Sequence, residues 1–402
     1  MRLVSVASIA FVLALTFTSV SALPDTHRPL DGREIFRFDT FGNEQLWTDM
    51  LKLHEAVQTI SPATALSVGL KVDADALPPA IVEALQAKQV NLNDPAKTIA
   101  LLELNAVVGV IGKVNESGQL TSIGITCALC HSNVDNSLAP GIGKRLDGWA
   151  NHDLNVGDIA GLAPGLPDAF RAEFSTWGPG MYDPRHHAFG GANVFELHPE
   201  SKSVPVVMPP IYGLKGVGFE TYTADGPISY WNSYVGVSQM GGHGNFSDPR
   251  IGLFITQSAP DLVTPKLRAL LKYQLSLKVP APPHGTVDHR AAARGRRLFY
   301  GDAGCSACHS GPDYTDVLSG PRPDVPVLHD PAETGMSPVY ASRTATGQYR
   351  ATPLRALWQH APYFHDGSAP DLPAVVEHYN RHFELNLTPD QKADLVEFLK
   401  SL

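Results

Sequence analysis

The chain has 402 residues, 43% of them hydrophobic, which is enough material for two or three packed domains. A formal net charge of −9, without any Lys/Arg-rich run, argues against a nucleic-acid partner. The 35 Gly and 33 Pro follow no period, which excludes collagen-like order and points to long ordered loops around helices.

Met1 and Arg2 precede an apolar run from Leu3 to Phe17 and the small residues Val20, Ser21 and Ala22. This is the pattern of a cleaved export signal over 1–22. A membrane anchor is the alternative, but Ser5, Ser8 and Thr16 dilute the run, and a span wants about 20 apolar residues. No later stretch reads as a transmembrane helix, so no span is expected once the signal is removed.

About a hundred residues then precede the first cysteine. Leu46, Met50, Leu53 and Val57 recur at helical spacing, with Trp47 and His54 flanking the stripe. His54 reads as a helix-face residue rather than a ligand. A second helix is expected from Pro95, with Asp94 as its cap and Ile99, Leu102 and Ala106 inward. Asn115 to Gly118 reads as a turn.

The run Cys127-Ala128-Leu129-Cys130-His131 follows, and Cys305-Ser306-Ala307-Cys308-His309 repeats it. In a Cys-x-x-Cys-His run two thiols can add to the vinyl groups of one haem while the histidine binds the iron. All four cysteines of the chain fall in these runs, so none is left for a disulfide or a zinc cage. A redox dithiol before a chance histidine is the bland alternative. Two covalently attached haem c groups are therefore expected, bound by Cys127, Cys130, Cys305 and Cys308, with His131 and His309 as iron ligands. In bacteria c-type haem is attached outside the cytoplasm, which fits a periplasmic or secreted protein.

From Ser132 to about Val217 periodicity is weak, and the stretch reads as loop laid over the haem faces. His152, His186, His187, His198, Met181 and Met208 lie here, each read as a surface or packing residue before a ligand. Ile228, Trp231, Tyr234, Val235 and Ser238 fall at helical offsets before Gln239-Met240-Gly241-Gly242-His243. That helix end either presents Met240 or His243 to the first iron or is an aromatic core helix with a glycine cap. A helix through Leu267, Leu270, Leu271 and Leu275 is expected, capped by Thr264 with Pro265 at its first position. Pro280, Pro282 and Pro283 stop it and mark a boundary. The expected division is an N-terminal haem c domain with a helical extension over 23–280 and a C-terminal cytochrome c domain over 284–402. In the latter, a helix from about Val287 to Phe299 leads into Cys305. A last helix starts at the capping box Thr388-Pro389-Asp390-Gln391, and the two should pack together. The fold class is mainly α, with long loops and a large N-terminal helical insertion.

Between those helices stand Thr352-Pro353-Leu354-Arg355 and Ala361-Pro362-Tyr363-Phe364-His365-Asp366-Gly367. This last third resembles the C-terminal domain of the bacterial diheme cytochrome c peroxidase superfamily, which includes the methylamine-utilisation diheme enzyme and, more distantly, diheme rubber oxygenases. The resemblance implies an iron ligand at Tyr379, fourteen residues beyond His365. Peroxidases have a methionine there, and the methylamine-utilisation enzyme a tyrosine. A phenolate favours ferric iron and lowers the potential relative to methionine. Met336, His365, His360 and an open site are the alternatives. The peroxidases also place a Glu beside a Met over the N-terminal haem. The nearest match is Gln239-Met240, and a Gln cannot shuttle a proton. Finally, Gly32-Arg33 with Phe36 echoes Gly295-Arg296 with Phe299, as in a duplicated domain with an insert in its first copy.

Two functions follow. The first is an oxidoreductase whose N-terminal haem meets peroxide or oxygen while the C-terminal haem supplies electrons from a small redox protein or cytochrome. The second is an electron-transfer cytochrome with both irons closed by side chains and no substrate. Oxygen-dependent cleavage of an organic substrate, as in the rubber oxygenases, is a third.

Overall fold

Two helix crossings, each closed by a glycine, frame the protein. The structure is a computed structural model that describes residues 29–185 and 203–402. The expected export signal and His186, His187 and His198 lie outside the described residues. Helix Gly32–Phe38 begins where the Asp31 carboxylate accepts from the N–H groups of Arg33 and Glu34. It crosses helix Leu267–Gln274 so closely that a Cβ on Gly32 would stand 2.0 Å from the Ala269 carbonyl oxygen. Helix His289–Tyr300 crosses Pro389–Lys400 in the same way, and a Cβ on Gly295 would stand 1.9 Å from the Asp394 carbonyl oxygen. Neither position can carry a side chain without parting the helices.

The echo read in the sequence is thus repeated in space. Four residues beyond each glycine a phenylalanine is fully buried, Phe36 and Phe299. Each packs on a ring of the crossing helix, Tyr273 at 5.6 Å and Phe398 at 5.1 Å. The first–last packing expected for the C-terminal part is present, with the Thr388–Gln391 capping box formed on both sides.

Among the described residues helix exceeds strand, 38% against 11%, so the mainly α expectation holds in its coarse form. The strands, which periodicity did not announce, form two-stranded ladders only, among the described residues. Asn115 to Gly118 turns a hairpin, Val110–Val114 against Leu120–Ile125, that delivers the chain into Cys127. The stripe from Leu46 to Val57 is not one helix. A wide π-type turn, Gln45–Met50, is broken from Leu53–Val57 by Lys52 in the left-handed region, φ 59°. Leu46, Trp47 and Leu53 still point inward, whereas Met50 is exposed. Helix Pro95–Glu103 forms as expected, the Asp94 carboxylate accepting from the Ala96 N–H.

The stretch after Cys130 is less loop-like than its sequence suggested. It contains helices Val156–Gly161 and Asp168–Phe174, and Phe170, Phe174 and Trp177 join Leu46, Trp47 and Leu102 in one core. Helix Ile228–Tyr234 continues as a π turn, Val235–Gln239. Thr264 does not cap the leucine helix. It opens a short 3₁₀ turn, Thr264–Lys266, and the Asp261 carboxylate accepts from the Val263 and Thr264 N–H groups instead. Residues from Asp31 to Leu402 pack as one compact unit. Among the described residues no helix is long and apolar enough to cross a membrane.

Candidate functional site

An apolar cavity of about 260 Å³ opens beside Cys127, Cys130 and His131. Its walls come from three parts of the chain: Leu53 and Leu102 of the N-terminal segment, Met208 and Pro209 of the long connection, and Gln239 and Met240 at the end of the aromatic helix. The imidazole of His131 is fixed, its Nδ1 lying 3.1 Å from the Pro209 carbonyl oxygen. A carbonyl only accepts, so Nδ1 carries the hydrogen and Nε2 the lone pair. Burial lowers the His131 pKa to about 4, which keeps that lone pair available at neutral pH. Burial also pushes the Cys127 and Cys130 thiols up to about 12. A redox dithiol works through a lowered thiol pKa, the opposite of this shift. Apolar walls, two paired thiols and a tautomer-locked imidazole fit a covalently held haem.

Gln239 and Met240 both reach this cavity, as their sequence order allowed. The Gln239 amide is held at both ends. Its oxygen accepts from the Tyr182 hydroxyl, and its nitrogen donates to the Pro184 carbonyl at 3.0 Å and lies 3.3 Å from the Tyr234 hydroxyl. A glutamate here would set a carboxylate oxygen against the Pro184 carbonyl, so the site selects an amide. Met240 is 5% exposed, and its carbonyl accepts from the Trp47 indole. His243 points elsewhere. Its ring lies against Gly42, its nitrogens are buried without a partner, and it does not line the cavity.

The second motif repeats the first arrangement. His309 Nδ1 lies 2.9 Å from the Tyr314 carbonyl oxygen, which assigns the lone pair to Nε2, and burial lowers the His309 pKa. Burial raises the Cys305 thiol to about 11. Tyr379, the candidate ligand for this motif, lies on helix Leu372–His382 within electrostatic range of these thiols. Its phenol pKa is raised by burial first and then by Cys308 and Cys305. Met336 packs instead with Tyr340 and Tyr349. His360 Nε2 faces the Arg355 carbonyl at 3.2 Å.

The connection between the motifs uses residues the sequence reading treated as packing. Val207 N–H donates to the His365 carbonyl at 2.8 Å. His152 lies between two carbonyls, Nε2 3.0 Å from Met208 and Nδ1 2.9 Å from Ala361. Pro209, Tyr182 and Tyr314 were not foreseen as site residues. Their roles rest on backbone carbonyls or long-range packing, which leave no mark in sequence.

Known proteins share parts of this chain. A model of the RoxA-like, cytochrome c-like family matches residues 347–383. Cytochrome-c peroxidase IdrP2 of Denitromonas iodatirespirans is 33% identical over 140 residues, 27% of this chain and 38% of the relative. Cytochrome c551 peroxidase of Pseudomonas aeruginosa is 36% identical over 115 residues, 27% of this chain and 33% of the relative. The methylamine utilization protein MauG of Methylorubrum extorquens is 33% identical over 129 residues, 28% of this chain and 34% of the relative. Among solved structures, a MauG-like protein associated with microbial copper homeostasis is 17% identical with a TM-score of 0.38, covering 55% of this chain and 86% of that one. The resemblance to the diheme cytochrome c peroxidase superfamily therefore stands. The chain spans between a third and two-fifths of these curated relatives.

Proposed function

We propose that the chain is a periplasmic diheme c-type cytochrome of the peroxidase superfamily, passing electrons between two covalent haems and reducing peroxide or activating oxygen at the N-terminal one. The observation that carries this reading is the apolar cavity lined by Cys127, Cys130 and His131. Bound haem supplies one-electron chemistry and an iron position that a small oxidant can take. The chain's own residues supply the rest. His131 and His309 each offer an Nε2 lone pair fixed by a backbone carbonyl. Gln239 orients polar groups without moving a proton, and Tyr379 offers a phenol at the second motif. The paired glycine crossings support a division into two haem domains, 23–280 and 284–402. A small redox protein or cytochrome is the electron source.

One observation favours the alternative of pure electron transfer. Met240 lines the cavity, and its thioether could close the first iron. Ferric and ferrous spectra of the purified protein, with and without carbon monoxide, separate the two. The enzyme reading expects two haems per chain, one of them five-coordinate when reduced and binding carbon monoxide. Two low-spin haems indifferent to carbon monoxide and peroxide would leave electron transfer alone.

A further inference from the structure

One corner of the cavity is charged where most of the wall is apolar. Among the described residues Glu220 is the only carboxylate that lines the cavity, and Arg350 lines it too, with Nη1 3.2 Å from Glu220 Oε2. Each side chain is 6% exposed. Backbone groups fasten the pair. The Glu220 N–H donates to the Gly226 carbonyl, and the Glu220 carbonyl accepts from the Trp231 indole. The Arg350 N–H donates to the Tyr222 carbonyl, and its guanidinium also donates to the Phe219 carbonyl. Thr221, on the same wall, takes a left-handed backbone, φ 62°, which is costly for a β-branched residue. Thr221 Oγ1 and Arg350 Nε are buried without a hydrogen-bond partner among the described residues, so this corner is completed by what the cavity holds.

Reducing a haem in this cavity adds one negative charge and no proton. In an apolar space that charge reaches further than it would in water, and it acts on the one acidic side chain of the wall. Burial is the largest influence on Glu220 and raises its pKa above the ordinary carboxylate value, against Arg350 and then Arg355, which lower it. Those two guanidiniums are the charged groups that act on Glu220, and Tyr222 acts on Arg350. A further negative charge in the cavity pushes the Glu220 carboxyl up again and favours its protonated form.

We infer that Glu220 is the proton carrier of this cavity, taking up one proton when the haem held there gains an electron and releasing it when that electron passes to the oxidant. One O–H bond forms at the carboxylate on reduction, and it breaks as the proton follows the electron. Reducing hydrogen peroxide breaks its O–O bond and consumes two electrons and two protons to give two waters, so each electron arriving with a proton meets half of the demand. Gln239, its amide held at both ends, cannot supply that proton. The inference rests on the function proposed above, which provides the haem, the electrons and the peroxide.

The test is a redox titration of the haem-loaded protein at a series of pH values, followed in the haem bands. One of the two haem potentials should fall by about 59 mV per pH unit, the slope of one proton per electron. The slope spans the window between the Glu220 pKa with the haem oxidised and with it reduced, and it levels off on both sides. Glu220→Gln should flatten this curve and leave the other haem's curve unchanged. Arg350→Gln removes a cation that lowers the Glu220 pKa, so it should move the window to higher pH. Two potentials that ignore pH in the wild type, a slope that survives Glu220→Gln, or a window that Arg350→Gln leaves in place would each overturn the inference and leave the haem reading intact. Should Glu220→Gln fail to load haem, the shift in Arg350→Gln decides alone. Wild-type protein without two haems overturns the proposed function, and this inference with it.

Discussion

Tyr379 and Gln239 are the two single positions on which the proposed chemistry turns. Both departures from the peroxidases were legible in sequence, Tyr379 by counting fourteen residues from His365 and Gln239 as the nearest residue standing beside a methionine. What counting could not tell was whether the side chains arrive. Tyr379 lies within electrostatic range of the second pair of thiols, and Gln239 does reach the first cavity, whereas His243, only three residues past Met240, turns away toward Gly42. If Tyr379 ligates iron, Tyr379→Phe will change the ferric spectrum of the C-terminal haem, and Tyr379→Met will raise its potential. An unaltered ferric spectrum in Tyr379→Phe would reduce the residue to packing. At the other site, Gln239→Glu exchanges an amide N–H donor for a second acceptor facing the Pro184 carbonyl. A loss of about 1–3 kcal/mol is expected from that unsatisfied contact, read as a fall in the urea midpoint at constant slope.

Elements defined by local rules were the ones the sequence announced. The Asp94 cap and the Thr388–Gln391 box form between residues two or three apart, so pattern and structure agree. The Leu46–Val57 stripe failed because one residue, Lys52, takes a left-handed backbone that interrupts the period without altering it. The helices at Val156–Gly161 and Asp168–Phe174 are too short to show periodicity and owe their stability to the aromatic core they enter. The glycine crossings were visible only as an echo of residue types. Their prediction is direct: Gly32→Ala and Gly295→Ala each force a methyl into a carbonyl of the crossing helix. Overpacking of this kind costs about 1–3 kcal/mol. Calorimetric melts should show both losses, and a variant that melts like the wild type would mean the crossing opens freely.

At the scale of the whole molecule, the cysteine count was the most informative reading, since it fixed both motifs and left no thiol for other work. The cavity itself was not legible, because its walls come from segments more than a hundred residues apart in sequence, Leu53 and Gln239 among them. If each motif holds its own haem, Cys305→Ala with Cys308→Ala will halve the haem per chain in a pyridine haemochrome assay, while the N-terminal haem keeps its carbon monoxide response. Complete loss of haem would mean that attachment at one motif depends on the other. Such dependence has a physical route in the strip Val207-Met208-Pro209. These three neighbours hold, in order, the His365 carbonyl, the His152 ring and the His131 ring. A displacement of the turn carrying His365 therefore tugs the same short beam that aims the imidazole of His131, and the two ends of the protein share one mechanical support.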